Sequence, residues 1–134
     1  MLDCSAAPCA PIAKKTTPVV GNVVTAGLGA GIGVADSVNA TGNAVYGNQT
    51  GFEVEGISFS GPIAKNNIFG SGLFTAGPTP CGLLGGVAGL VAANNYWGAA
   101  TGPGIPPADD ACNPGATVTP FATKPFTVKA PIKP

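Results

Sequence analysis

The chain has 134 residues, 45% of them hydrophobic and 9% charged, and its six Lys balance six acidic residues without any Arg or His. This length favours one domain, and the low charge with high apolar content argues against disorder. A nucleic-acid binder normally carries a basic stripe, which this sequence lacks. The absence of Arg and His removes the usual phosphate clamp and the commonest general base.

The N-terminal segment, residues 1–18, holds two Cys, three Pro and a Lys pair. It has neither the basic start nor the apolar core of a signal peptide, and we expect an N-terminal loop or cap. The longest apolar run, residues 81–93, is too short and Gly-rich for a bilayer-spanning helix, which needs about 20 residues. No transmembrane segment is therefore predicted.

An Asn recurs at one phase of the sequence, each time before a short apolar stretch. The four positions are Asn22, Asn43, Asn67 and Asn95, at intervals of 21, 24 and 28 residues. Asn tolerates the left-handed backbone conformation of turns, and stacked Asn side chains bond to one another along a ladder. The recurrence predicts that these four residues form an Asn ladder at successive turns.

Short strand-like segments that open with Gly lie between the Asn positions. Residues 31–35 and 51–55 alternate apolar and other residues, which predicts strands with one buried face. Residues 82–86 are less regular and follow a predicted loop insertion at residues 74–81. Leucine-rich repeats share the repeat length but require a Leu signature that is absent. A β-sandwich does not predict Asn at a constant phase.

The predicted fold is all-β: a short right-handed parallel β-helix of about three coils over residues 19–98. A Pro/Gly-rich C-terminal capping tail follows at residues 99–134, because Pro cannot continue a hydrogen-bonded ladder. Within the tail, residues 117–126 are expected to form a last outer strand with Phe121 and Phe126 as apolar plugs.

The segment "NNYWGAATGPG", residues 94–104, resembles the closing segment of bacterial right-handed parallel β-helix repeat proteins of the pectate-lyase-like superfamily. The resemblance covers roughly residues 19–121 and implies the same fold. Lyases of this superfamily use a basic residue with Ca²⁺ and Arg, and its polygalacturonases use clustered Asp with nearby His. Neither set has matching positions here, so the resemblance carries no catalytic residue to this chain.

The four cysteines are Cys4, Cys9, Cys81 and Cys112. An even number suggests two disulfides with three possible pairings, and we favour Cys4–Cys9 with Cys81–Cys112 over reduced thiols. Disulfides favour a secreted, periplasmic or cell-surface location. Zinc is not expected, because there is no C-x-x-C pair and no His.

Two acidic pairs are candidate sites. Glu53 and Glu55 share a strand face about 7 Å apart, a spacing that suits a glycosidase carboxylate pair, a Ca²⁺ site or two solvated side chains. Asp109 and Asp110 form either a cation site or a solvated turn before a cysteine. Asp36 is expected at a turn.

Carbohydrate binding is the remaining site hypothesis. Tyr46, Tyr96 and Trp97, together with Glu53 and Glu55, are its candidate residues, because exposed aromatic rings with polar neighbours stack on sugars. The alternative for Trp97 is a plug that caps the last coil.

The sequence favours a non-catalytic extracytoplasmic module with a structural, surface-recognition or polysaccharide-recognition role. One alternative is the C-terminal part of a polysaccharide lyase or glycoside hydrolase. Another is a self-assembling filament, spike or adhesin subunit. The expected partners are polysaccharide or other copies of the protein in a homo-oligomer, and no cofactor is expected apart from the Ca²⁺ already considered.

Overall fold

The computed structural model describes residues 2–3, 10–11, 16–72 and 80–128. In these ranges the chain is all-β and has no helix. The strands are β1 (Leu2–Asp3), β2 (Ala10–Pro11), β3 (Thr17–Val20), β4 (Val23–Thr25), β5 (Ala30–Thr41), β6 (Ala44–Tyr46), β7 (Thr50–Ser60), β8 (Ile63–Ala64), β9 (Asn67–Phe69), β10 (Cys81–Gly85) and β11 (Asp110–Cys112).

Almost all strand pairs are parallel. The largest sheet has the order β11-β10-β7-β5-β3, with β8 also paired to β5, and a second sheet has the order β4-β6-β9. Among the strands of the described residues, only β1 and β2 pair in antiparallel fashion. Parallel sheets with short strands require the chain to return to the same end of each strand, so successive passes of the chain lie beside one another as rows.

Strand β5 belongs to two parts of the largest sheet. Its first part, from Ala30 to Ala35, pairs with β7, and its second part, from Val38 to Thr41, pairs with β3. Between them Asp36 adopts a left-handed conformation with φ of 56°, which short polar residues tolerate. The register with β7 shifts between Ala35 and Ser37, so Asp36 lies at an irregularity within the strand and not at the turn that the sequence predicted.

The core is made of apolar side chains that lie above one another in neighbouring rows. Ile32 pairs with Phe52, Phe52 pairs with Leu83, and all three side chains are buried. Val45 and Ile68 form a similar buried pair in the second sheet. Each such side chain stabilises the fold by about 1.5–3 kcal/mol, so the alternation along each strand selects the face that packs inward.

The C-terminal tail does not form the strand expected at residues 117–126. Thr117 makes only an isolated bridge to Val91, because Pro120 and Pro125 interrupt the backbone donors that a strand requires. The tail nevertheless accepts hydrogen bonds from the last row, from Asn94 N to the Pro120 oxygen at 2.6 Å. Its Phe121 side chain packs against the core.

The disulfide predicted between Cys81 and Cys112 is present and joins β10 to β11. Strand β11 therefore lies inside the segment predicted as capping tail. Cys4 and Cys9 lie outside the described residues, as does most of the predicted loop insertion at residues 74–81.

Candidate functional site

An Asn ladder follows one turn of the fold through successive rows. The Nδ2 of Asn22 donates to the Oδ1 of Asn43 at 3.0 Å, and Asn43 donates in the same way to Asn66 at 2.9 Å. Asn66 then donates to Asn95 at 3.0 Å. The last three side chains are buried, so the ladder runs along the interior of the turn.

Each buried Asn of the ladder has its amide fully hydrogen-bonded. The Oδ1 of Asn66 also accepts the backbone N–H of Asn43 at 2.9 Å, and its Nδ2 also donates to the Ala40 carbonyl at 3.0 Å. The Nδ2 of Asn43 likewise donates to the Val19 carbonyl at 2.9 Å. Because a buried amide without partners costs several kcal/mol, this repeated pattern is what allows Asn to occupy the interior.

The ladder prediction was wrong at one position, because Asn66 and not Asn67 is the third member. Asn67 opens β9 and pairs with Ala44, so it is one residue too late to align with Asn43. Its side chain instead holds the tail: Nδ2 donates to the Phe126 carbonyl at 2.8 Å, and Oδ1 accepts the Phe126 N–H at 2.7 Å.

The residue before each ladder Asn adopts the left-handed conformation. These residues are Gly21, Gly42, Lys65 and Asn94, with φ of 71°, 68°, 57° and 61°. Gly adopts this conformation at no steric cost, whereas other residues lose about 1–2 kcal/mol. The sequence marks this left-handed position with Gly in the first two rows, but Lys65 occupies it before Asn66, so no residue type singled out the third ladder position.

A second buried amide, Asn48, was missed by the sequence analysis. Its Oδ1 accepts the N–H of Gly27 at 2.9 Å, and its Nδ2 donates to the Val24 carbonyl at 3.1 Å. Gly27 allows this approach, because a Cβ there would lie 2.9 Å from the Asn48 oxygen. Asn48 thus ties two neighbouring rows together at another turn.

Asp109 is not a solvated turn residue, which was one of the two roles predicted for it. It is fully buried, and its two carboxyl oxygens each accept the backbone N–H of Ser71 at 3.2 Å. Burial raises the pKa of Asp109 above 3.8, although hydrogen bonds from Ser71 and Gly70 act in the opposite direction. Asp110 is half-buried and accepts the N–H of Ala111.

Three half-buried aromatic rings form a column on the second sheet. Tyr46 stacks on Phe69, with ring centroids 5.1 Å apart and an interplanar angle of 2°. Tyr96 meets Phe69 edge-on at 6.4 Å and 68°. Phe69 was missed by the sequence analysis. We call Tyr46, Phe69 and Tyr96 the aromatic column.

The stacking within the aromatic column limits what its rings can bind. A sugar ring stacks on an aromatic face, but one face of Tyr46 and one face of Phe69 are already in contact with each other. The edge of the next ring lies against Phe69. Thr25 is the residue beside Tyr46 in the neighbouring strand, so a small side chain, and not a further aromatic ring, lies next to the second face of Tyr46.

Trp97 was wrongly grouped with the carbohydrate-binding residues, because its side chain is fully buried. It belongs to the hydrophobic core, and its Nε1 has no hydrogen-bond partner within the described residues. A ring without exposed surface offers no platform to a sugar, so Trp97 fits the alternative of an apolar plug near the last row.

Glu53 and Glu55 lie apart from the aromatic column, on β7 rather than on β6 or β9. Their neighbours Phe52 and Val54 are buried, whereas Glu53 is half-buried and Glu55 is exposed. Across the described ranges, no group of three or more His, Cys, Asp or Glu side chains is arranged to hold a metal ion. The two carboxylates therefore share a face as predicted, without a third acidic ligand.

No protein-family model, curated protein or solved structure matches the chain. Residues 16–72 and 80–128, with the two short N-terminal strands, contain no helix long and apolar enough to cross a membrane.

Proposed function

We propose that this chain is a short right-handed parallel β-helix that acts as a non-catalytic structural module. The observation that carries the proposal is the ladder from Asn22 to Asn95, because like residues stack only when successive rows repeat the same turn. Parallel pairing in both parts of the largest sheet and in the second sheet supports it. The strong preference of parallel crossovers for the right hand supports the proposed handedness.

The two ends of the stack differ, which supports a module that closes one end of a structure. At the C-terminal end, Ala92 donates to the Thr117 carbonyl at 2.8 Å and Ala122 donates to the Asn95 carbonyl at 2.9 Å. The tail thus covers backbone groups that would otherwise be an exposed edge. At the other end, β3 and β4 are the outermost strands of their sheets within the described residues.

The disulfide between Cys81 and Cys112 supports an extracytoplasmic location, where such bonds persist. In this proposal the module presents its sheets as a surface and extends or terminates a larger stack. The alternative function is the tail of a lyase or hydrolase. In that alternative Glu53 and Glu55 are the candidate catalytic acids, so a test of activity should address these two residues.

Two measurements test the two halves of this proposal. In the NMR spectrum, the side-chain amide protons of Asn43 and Asn66 should exchange slowly with solvent and show contacts between neighbouring rows. The protein should also leave acidic and neutral polysaccharides intact, with or without Ca²⁺. Cleavage that disappears in Glu53→Gln but persists in Asn67→Ala would show an enzyme and overturn the non-catalytic role.

Polysaccharide recognition is a second candidate function, favoured by the half-buried ring of Tyr46 at the end of the aromatic column. Retention on a glycan array that is lost in Tyr46→Ala, and kept in Tyr46→Phe, would support it. Because Phe preserves the aromatic face, equal loss in both variants would point away from ring stacking. Retention that survives Tyr46→Ala would assign the binding to another surface.

A further inference from the structure

The first row of the stack has an unfilled acceptor at the ladder position. Every inner ladder Asn accepts two bonds at Oδ1 from the row before it, as Asn43 does from the N–H and the Nδ2 of Asn22. Within the described residues no donor reaches the Oδ1 of Asn22, whose side chain is exposed. Because each ladder Asn donates to the Asn of the next row, the missing partner of the Asn22 Oδ1 must be a hydrogen-bond donor.

The surface around Asn22 is apolar and uncharged. Residues 16–35 contain no charged side chain, and Val20, Val23 and Leu28 are 59%, 44% and 79% exposed. Strands β3 and β4 each pair on one side only within the described part of the chain. We call this surface, residues 17–28, the N-terminal edge.

The Pro in β3 does not prevent a further row from pairing there. Pro18 lies beside Asn39, and the register of the next row places Pro62 on the other side of Asn39. Pro62 therefore occupies the same column as Pro18 inside the stack, and its carbonyl accepts the N–H of Ala40 at 3.0 Å. A Pro in this column is compatible with stacked rows on both sides.

We infer that the N-terminal edge binds one more parallel coil of polypeptide, with an Asn at its turn that donates to the Oδ1 of Asn22. The inference rests on the proposed function, since it requires a stack that can be extended. The occupant is a segment with the pattern of residues 17–37, in which Asp36 is the one charged side chain, aligned in parallel with β3 and β4. It is not a second copy docking by its own N-terminal edge, because two such edges would both present the Asn22 acceptor without its donor.

The test adds the missing row to the full chain. A duplicate of residues 17–37 is inserted between Thr16 and Thr17, which matches the spacing of Thr17 and Val38 in the existing pair of rows. The added Asn then lies one row before Asn22. Because stacked repeats add nearest-neighbour stabilisation, the midpoint of thermal unfolding should rise by about 5 °C.

Two control insertions of equal length distinguish the effect of the hydrogen bond to Asn22 from the effect of a longer chain. One carries Asp instead of Asn in the added copy, which removes the side-chain donor, and the other is a Gly/Ser linker. Both should leave the midpoint unchanged or lower it. Equal stabilisation by the Asp insertion, or no rise with the Asn insertion, overturns the inference.

A second measurement covers the case in which the insertion disturbs folding. A synthetic peptide of residues 17–37 added to the unmodified protein should slow hydrogen exchange over β3 and β4 by about tenfold, and the Asn22→Asp peptide should not. If light scattering instead shows a dimer of the unmodified protein that the inserted coil abolishes, the N-terminal edge is occupied by a second copy and the inference fails. If the unmodified protein unfolds in a normal transition but neither the inserted coil nor the added peptide has an effect, only this inference is wrong and the stacked fold is not.

Discussion

The side-chain amide of Asn66 donates to the Oδ1 of Asn95 at 3.0 Å across 29 positions of sequence. The backbone N–H of Asn66 donates to the same oxygen at 2.9 Å. One Asn oxygen therefore fixes both the side chain and the main chain of the preceding row, so the ladder specifies which residues of distant segments lie together.

Replacement of Asn66 by Ala should destabilise the protein by about 3 kcal/mol or more. The change leaves the buried amide of Asn43 and the buried oxygen of Asn95 with fewer partners, and each unsatisfied buried group costs about 1–3 kcal/mol. Denaturant unfolding measures the change. The matched control is Asn67→Ala, which removes only the bonds to Phe126 and should cost about 1 kcal/mol. A larger loss for Asn67→Ala than for Asn66→Ala would contradict the ladder assignment.

Replacement of Gly42 by Ala tests the left-handed position before a ladder Asn. An added Cβ at Gly42 meets no atom within 4 Å, so its cost comes only from φ of 68° and should be about 1–2 kcal/mol. The matched control is Gly33→Ala, where the space is equally open and no positive φ is present. That change should be neutral or stabilise by about 0.4–1 kcal/mol. Equal effects of the two substitutions in thermal unfolding would refute this account.

Replacement of Asp109 by Asn should change how stability depends on pH. Because burial raises the pKa of Asp109 in the folded state, the folded chain binds this proton more tightly than the unfolded chain. The corresponding stability is fully present below pH 3.8, the unperturbed value, and is lost as pH rises through the raised folded pKa. The free energy of unfolding of the wild type should therefore fall over this window relative to Asp109→Asn. Parallel pH profiles of the two proteins would disprove the role of this carboxyl group.

Removal of the disulfide by Cys81→Ser with Cys112→Ser should cost about 3–4 kcal/mol. The bond closes a loop with a sequence separation of 31, and cross-links of this length restrict the unfolded chain by roughly that amount. Chemical denaturation with and without reductant checks the prediction: reductant should weaken the wild type and leave the double variant unchanged. A reductant effect on the double variant would place the sensitivity elsewhere in the chain.

The sequence was most informative where a local pattern has one structural outcome. Alternation around Ile32 and Phe52 predicted strands with one buried face, and the recurrent Asn residues predicted parallel stacking and a ladder. The choice between Asn66 and Asn67 failed because two adjacent Asn residues satisfy the same pattern, and only the backbone conformation of Lys65 distinguishes them.

The burial of Trp97 and Asp109 depends on contacts that no local pattern reveals. Asp109 receives its hydrogen bonds from Ser71, 38 residues earlier in the chain, and its neighbour Asp110 has the same side-chain type with a different environment. Aromatic and acidic side chains occur on both exposed and buried faces, so their residue types alone did not decide between a binding surface and the interior.

Strand β5 couples the register of its neighbouring strands. A single segment of 12 residues pairs with β7 through one part and with β3 and β8 through the other. A slip by one residue along β7 would turn Val34 outward and bring Gly33 and Ala35 inward, since side chains alternate between faces, and these two residues offer less apolar side chain to bury. The same slip would carry Ala40 out of its place beside Ile63. A chain with shifted register therefore loses burial in both parts of β5, and each part stabilises the correct register of the other.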